Sequence, residues 1–250
     1  MKVLARLYFV LCCMFAFSLS SHADKTVYLT SLDWPPYSGN TLKEQGASVA
    51  VAKAAFKAMG YNLVVEFLPW SRAVNLAKQP DSKYMGYFPE YYSDDVAKEF
   101  AYSDAMGTGP LGFAQNAKKP VNWRSLDDLS KFSIGVVRDY VNTTEFDSRV
   151  ASGKIKVIPV SADVNNMQKV AAGRIDMAVV DKNVMNYLFA NDPKLASMKG
   201  KASFNSKLLE DKKLYVCFKN SGQGTKLRDI YNQGLQKIDV KAIMDKHLAQ

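Results

Sequence analysis

Hydrophobic positions in this chain change period repeatedly, from every second residue to every third or fourth and back. "TVYLT" (26–30) is a short apolar run of strand character. "GASVAVAKAAFKAMG" (46–60) then places Val49, Ala52, Phe56 and Met59 on one helical face, with Gly60 as the stop. A strand "NLVVEFL" (62–68), a helix opening at Pro69 and a strand "KYMGYF" (83–88) follow. Farther on, "FSIGVV" (132–137), "KIKVIPV" (154–160) and "DMAVV" (176–180) read as strands, with helices at about 142–151, 162–172 and 182–190. "KKLYVCF" (212–218) is a late strand, followed by "GTKLRDIYNQGLQKI" (224–238) as a helix and a last helix near 240–248. Alternation of this kind predicts an α/β protein with parallel sheets covered by helices.

The alternation breaks once. "SDAMGTGPLGFAQNAKKPVNW" (103–123) is rich in glycine, proline and small residues, and strands and helices resume after it. Two α/β lobes are therefore expected, the first over 24–112 and the second over 113–210. The segment 211–250 is too short for a third domain, so it is expected to return and complete the first lobe. The chain then crosses between the lobes twice, which makes a hinge beside a ligand cleft.

Residues 1–23 have the pattern of a cleaved secretory leader: Lys2 and Arg6, the apolar "LYFVLCCMFAF", and small residues in "SHA" (21–23) where a signal peptidase reads. The apolar run is short of the roughly 20 residues that span a bilayer. A periplasmic protein beginning at Asp24 is expected. Removal of Cys12 and Cys13 leaves only Cys217, so the fold is expected to stand without an internal disulfide. The formal charge of +9 is scattered, with no Lys/Arg block of the kind that tracks a phosphate backbone, which argues against nucleic acid. No His or Cys cluster has metal-ligand spacing, and no cofactor motif is present; "SGQGTK" (221–226) lacks phosphate-loop spacing and reads as a helix cap. A monomer is expected.

In open parallel sheets, ligands sit beyond the carboxyl ends of the strands. The segments at those ends are "SLDWPPY", "PWSR", "PEYY", "RDYVN" and "DKN". They supply Trp34, Tyr37, Trp70, Arg72, Tyr91, Arg138, Tyr140 and Asp181, the composition of a pocket for a small polar ligand. Trp34 and Trp70 stand beside prolines in stiff turns, which hold a side chain outward. Arg72 opens a helix, where its charge opposes the dipole and asks for a partner. Core packing is the competing account of Tyr37 and Tyr91, a solvated rim that of Arg138, and an N-cap that of Asp181. Backbone N–H groups near 141–143, at a helix start, offer an anion site.

Four segments in one order, "DWPPYSG", "GASVAVAKAAFKAMGYNLVVEFLPWSRA", "FAYSDAM" and "GRIDMAVVD", resemble the family 3 periplasmic solute-binding proteins, the amino-acid-type receptors of ABC importers. The likeness is closest to a shorter group with a Pro-Trp-x-Arg-Ala motif, and it implies the type II fold of two lobes joined by two hinge strands. It further implies a membrane permease as partner, Trp34 and Trp70 as the walls of a ligand sandwich, and Asp181 as the acceptor of a ligand ammonium. The family arginine that grips an α-carboxylate falls at Val96 here, so either Arg72 or Arg138 replaces it or the ligand is not an ordinary α-amino acid. Asp139 also stands where the family often has glycine.

Two rivals remain to the reading as a binding protein for an amino acid or amine-like solute. An exported dehydratase-like enzyme shares the fold. Beyond the leader, however, there is a single histidine, His247, and no G-x-S-x-G, so catalysis is left to carboxylates such as Glu90, Asp139 or Asp181. The second rival is a ligand sensor that reports to a separate membrane receptor.

Overall fold

The computed structural model describes residues 25–249, and the leader at 1–23 lies outside the described residues. The strand β1 (Lys25–Ser31) runs parallel to β2 (Tyr61–Phe67) and β3 (Gly86–Glu90). The helices α1 (Ala47–Ala58) and α2 (Trp70–Lys78) join them as crossovers. A short α3 (Asp94–Glu99) leads to β4 (Phe100–Tyr102). In the second half, β6 (Ile134–Val137) lies parallel to β7 (Val157–Val160) and β8 (Met177–Asp181). The helices here are α4 (Thr144–Ala151), α5 (Asp163–Ala171) and α6 (Lys182–Asn191).

Two antiparallel strands tie the halves together. β5 (Gly107–Asn116) and β10 (Glu210–Lys219) pair over Gly107–Leu111 and Glu210–Leu214. β5 then continues into the second half against β8 and the short β9 (Ala202–Phe204), while β10 continues into the first against β3 and β4. The sheet order is β2-β1-β3-β10-β5-β8-β6-β7, a mixed sheet folded into two lobes with β5 and β10 as the crossings. After β10, α7 (Gly222–Leu235) and α8 (Val240–Leu248) pack on α1. Ser221 caps α7, accepting from the Gly224 N–H at 3.1 Å, which accounts for "SGQGTK".

The segment 103–123, expected to break the pattern, instead contains β5, one of the two longest strands. Its glycines lie where neighbours approach closely. A Cβ at Gly109 would fall onto the Asp181 carboxylate and the Tyr37 hydroxyl, and one at Gly112 onto the Phe204 ring. The low hydrophobicity of this strand thus reflects lack of space for side chains. Gly109→Ala is expected to push Asp181 and Tyr37 apart and lower stability by about 1–3 kcal/mol through overpacking. A melting temperature unchanged from wild type would contradict the close approach.

Each lobe has its own aromatic centre. Phe56 packs with Phe218 and Tyr231 in the first, and Phe113 with Trp123 and Phe146 in the second. Of the face anticipated for α1, Val49, Ala52 and Phe56 are fully buried and Met59 half-buried. No helix among the described residues is long and apolar enough to cross a membrane.

Candidate functional site

The carboxyl ends of the strands in both lobes meet at one cleft. From the first lobe, β1 leads into a tight turn in which Trp34 N–H donates to Ser38 O at 2.8 Å and Tyr37 N–H to Trp34 O at 3.0 Å. Trp34 stacks on Tyr37, with centroids 4.6 Å apart. Trp70 opens α2 after Pro69, and the buried end of β3 supplies Glu90 followed by Tyr91. The second lobe contributes Asp139 and Tyr140 after β6, Asp163 at the start of α5 after β7, and Asp181 at the end of β8.

Side chains bridge the lobes directly. The Tyr37 hydroxyl donates towards Asp181, 3.2 and 3.1 Å from its two oxygens, and accepts from Asn183 Nδ2 at 2.8 Å. Trp70 Nε1–H donates to the Asp139 carbonyl at 3.0 Å, and the Ser71 hydroxyl to the Asp139 carboxylate. Asp139 reaches both because its backbone is left-handed, φ 64°, a geometry that Asp tolerates better than most residues. Between these contacts lies a cavity of about 30 Å³ walled by Leu32, Trp34, Trp70, Glu90, Tyr91 and Tyr140 among others. That space holds a water or two.

The site is electrostatically one-sided. Glu90 is pushed up to about 8 by burial, which outweighs the hydrogen bonds from Tyr91 N–H and the Tyr87 hydroxyl and the charge of Lys212. Burial also raises Asp163 to about 7, opposed by hydrogen bonding from Tyr140 and Trp34. Asp181 rises to about 7 for the same reason, opposed by the Asn183 and Val184 N–H groups and Tyr37, with Asp163 adding to the rise. Lys212 is the buried cation nearby. Its ammonium lies 3.4 Å from Glu210 and 5.5 Å from the centre of the Tyr91 ring. Among the described residues, no group of three or more His, Cys, Asp or Glu side chains is arranged to hold a metal ion.

The residues expected at the site divide into three sets. Trp34, Trp70, Tyr91 and Tyr140 line the cavity. Tyr37 is fully buried behind Trp34 and acts through Asp181. Asp181 combines both of its readings, capping α6 through the Asn183 and Val184 N–H groups while meeting the opposite lobe through Tyr37. Arg72 and Arg138 are exposed and do not line the cavity, and Val96 lies half-buried on α3. The expected anion site at 141–143 needs correction: Asp147 takes the Asn142 N–H and Nδ2–H, both at 2.8 Å, and Thr143 takes the Phe146 N–H. The protein's own carboxylate fills that site.

Asp163 and Lys212 escaped the sequence reading. "SAD" follows a strand like the other segments, and the same rule applied to it yields Asp163. Lys212 shares strand parity with the buried Leu214, Val216 and Phe218, and a lysine in that register marks a buried charge.

No protein-family model matches the sequence, and no curated protein matches it. Solved structures do match in fold. A histidine kinase sensor domain with similarity to periplasmic binding proteins superposes with a TM-score of 0.75 at 16% identity, covering 89% of this chain and 96% of that one. An amino acid ABC transporter substrate-binding protein from Streptococcus pneumoniae, bound to L-arginine, gives 0.71 at 14% identity, with 90% and 94% covered. An ancestral amino-acid-binding protein, a precursor of cyclohexadienyl dehydratase, gives 0.67 at 18%, with 89% and 92% covered. The fold is that of the two-lobed periplasmic binding proteins, as the sequence resemblance implied.

Proposed function

We propose that this protein is an extracytoplasmic solute-binding protein that captures a small amino-acid or amine-like ligand by lobe closure and delivers it to an ABC permease. The observation that carries the reading is the cavity between the lobes, walled by Trp34, Trp70, Tyr91 and Tyr140 and supplied with one strand-end carboxyl, Glu90. A ligand touching both walls stabilises the closed arrangement, and β5 and β10 are the hinge on which the lobes move. The leader pattern and the fold together support export to the periplasm, and the protein acts there as a monomer. The permease is inferred from the fold and the sequence resemblance.

The test is a thermal-unfolding screen of the purified protein against amino acids, amines, dipeptides and small organic acids. A ligand at about a hundred times its Kd adds roughly 2.7 kcal/mol, a rise of about 5–10 °C for a chain of this size. Trp34→Ala is expected to remove most of that rise, because it takes away one wall of the cavity. Unchanged stabilisation in this variant removes Trp34 from the site.

A second reading, an exported lyase, is favoured by Glu90, a buried carboxyl held near 8 at the cavity wall, which is where a general acid–base works. Turnover of a ligand found in the screen decides for it. If the ligand binds without turnover, and pull-down retains a membrane kinase and no permease, the protein is a sensor.

A further inference from the structure

We propose, on the premise of the solute-binding reading, that the ligand is an organic amine without a carboxylate, held as a cation by Glu90 in the cavity wall, with Asp163 and Asp181 as further acceptors behind the Trp34, Tyr91 and Tyr140 walls. The first ground is what the cavity lacks. Neither arginine of the strand-end loops reaches it, and no lysine or arginine lines it. Lys212 does not line it and is already faced by Glu210, Glu90 and Asp147. A ligand carboxylate entering here meets carboxyls with no counter-charge to receive it.

The backbone offers an anion no more than the side chains do. Three helices of the second lobe begin at the cleft, and each start is faced by one of the protein's own acids; α5 has no side-chain cap at Ala162, but Asp163 in its first turn takes its own backbone N–H. Asp147 holds the Asn142 N–H before α4, and Asp181 holds the Asn183 and Val184 N–H groups of α6. A bound α-carboxylate usually needs an arginine fork or such free N–H groups. This cleft lines up no arginine, and at the uncapped start of α5 the Asp163 carboxyl stands in the way of an anion.

Acceptors, in contrast, are in excess. Asp163 is buried, and besides its own backbone N–H and Trp34 it receives a long contact, 3.5 Å, from the Tyr140 hydroxyl. The Tyr91 hydroxyl is buried in the cavity wall with no hydrogen-bond partner among the described residues. Buried polar atoms are nearly always paired, and this hydroxyl can accept from an ammonium as well as donate. An ammonium supplies up to three N–H donors and suits the rings of Trp34, Trp70, Tyr91 and Tyr140. The carboxyls come from both lobes and do not gather on one point as metal ligands do, which fits an extended organic cation better than an ion. Burial holds all three carboxyls partly protonated near neutral pH, and a neighbouring cation restores their charge.

The experiment uses matched pairs that differ only in the α-carboxylate: lysine against 1,5-diaminopentane and arginine against agmatine, with butylamine and choline as simple cations. Calorimetric titration of the purified protein at pH 7.5 is expected to show at least one carboxylate-free amine bound at least 100-fold more tightly than any amino acid in the set. Repeating it in buffers of different ionisation enthalpy is expected to show proton release. An amino acid bound as tightly as its decarboxylated partner overturns the amine assignment and leaves the solute-binding reading standing. No binding by any member, with no thermal shift across the wider screen, overturns both.

Discussion

Replacing Glu90 by glutamine is expected to make the protein alone more stable at pH 8 and to abolish most of its ligand binding. Glu90 is 5% exposed at the wall of the cavity. Its two hydrogen bonds, from Tyr91 N–H at 2.8 Å and the Tyr87 hydroxyl at 3.1 Å, go to different oxygens; in glutamine the amide oxygen can keep the first and the amide nitrogen can donate to the Tyr87 oxygen in place of the second. The unfolded chain ionises this carboxyl near 4.5, whereas in the fold burial holds it near 8. Between those values the native protein binds a proton that the unfolded chain has lost, so stability falls as pH rises through the window. At 1.36 kcal/mol per pKa unit the loss by pH 8 is roughly 3 kcal/mol or more. Glutamine never ionises. The variant should therefore melt about 6–12 °C above wild type at pH 8 and close to it at pH 4. Equal melting temperatures at pH 8 would mean that Glu90 is ionised and compensated in the native protein, and its place as a buried acid would be lost. The expected opposition between stability and binding is the reason to measure both on the same variant.

Much of the architecture was legible because the period of apolar positions changes with each element. The strand ends then located a cleft without knowledge of any ligand. What resisted reading was the middle of the sheet. Gly107, Gly109 and Gly112 make β5 look like a linker, although they are small because Met244, Asp181 with Tyr37, and Phe204 come close to them. Local sequence cannot report a partner seventy residues away. The same limit applies to the site. Trp34 and Trp70 announced themselves through their proline-flanked turns, but the exposure of Arg72 and Arg138 depends on how α2 and the 138–141 loop lie on their lobes. Asp147 filling the helix start before it depends on an i to i+5 side-chain reach that leaves no trace in periodicity. Both missed charges have a local trace, Asp163 in its place after strand β7 and Lys212 in the buried register of β10.

The affinity of an amine for this site is expected to rise with pH while the stability of the protein alone falls. Glu90 faces Tyr87, Tyr91, Lys212 and Cys217; Asp163 faces Tyr140 and Trp34; Asp181 faces Tyr37, Asn183, Tyr91 and Asp163. Apart from Lys212, none of these neighbours is a cation, so burial controls all three carboxyls, at about 8, 7 and 7. An ammonium placed among them favours the ionised forms and lowers those values, so binding expels protons. Below the unliganded values each expelled proton steepens the affinity by about tenfold per pH unit. Above about pH 8 the carboxyls are already ionised and the curve flattens, well before an alkyl amine near 10 loses its own charge. From pH 6 to pH 8 the affinity should thus increase at least about tenfold, with one proton as the minimum. Over the same interval the melting temperature without ligand should decline, because the native state then gives up protons that the unfolded chain lost near pH 4. A ligand whose positive charge is not the recognised feature gives a flat affinity profile, and a site that needs protonated carboxyls gives a falling one. Recognition of a cation by one or more of these buried acids sends the two curves in opposite directions, so titrations at pH 6, 7 and 8 beside thermal melts of the unliganded protein test the assignment without any substitution.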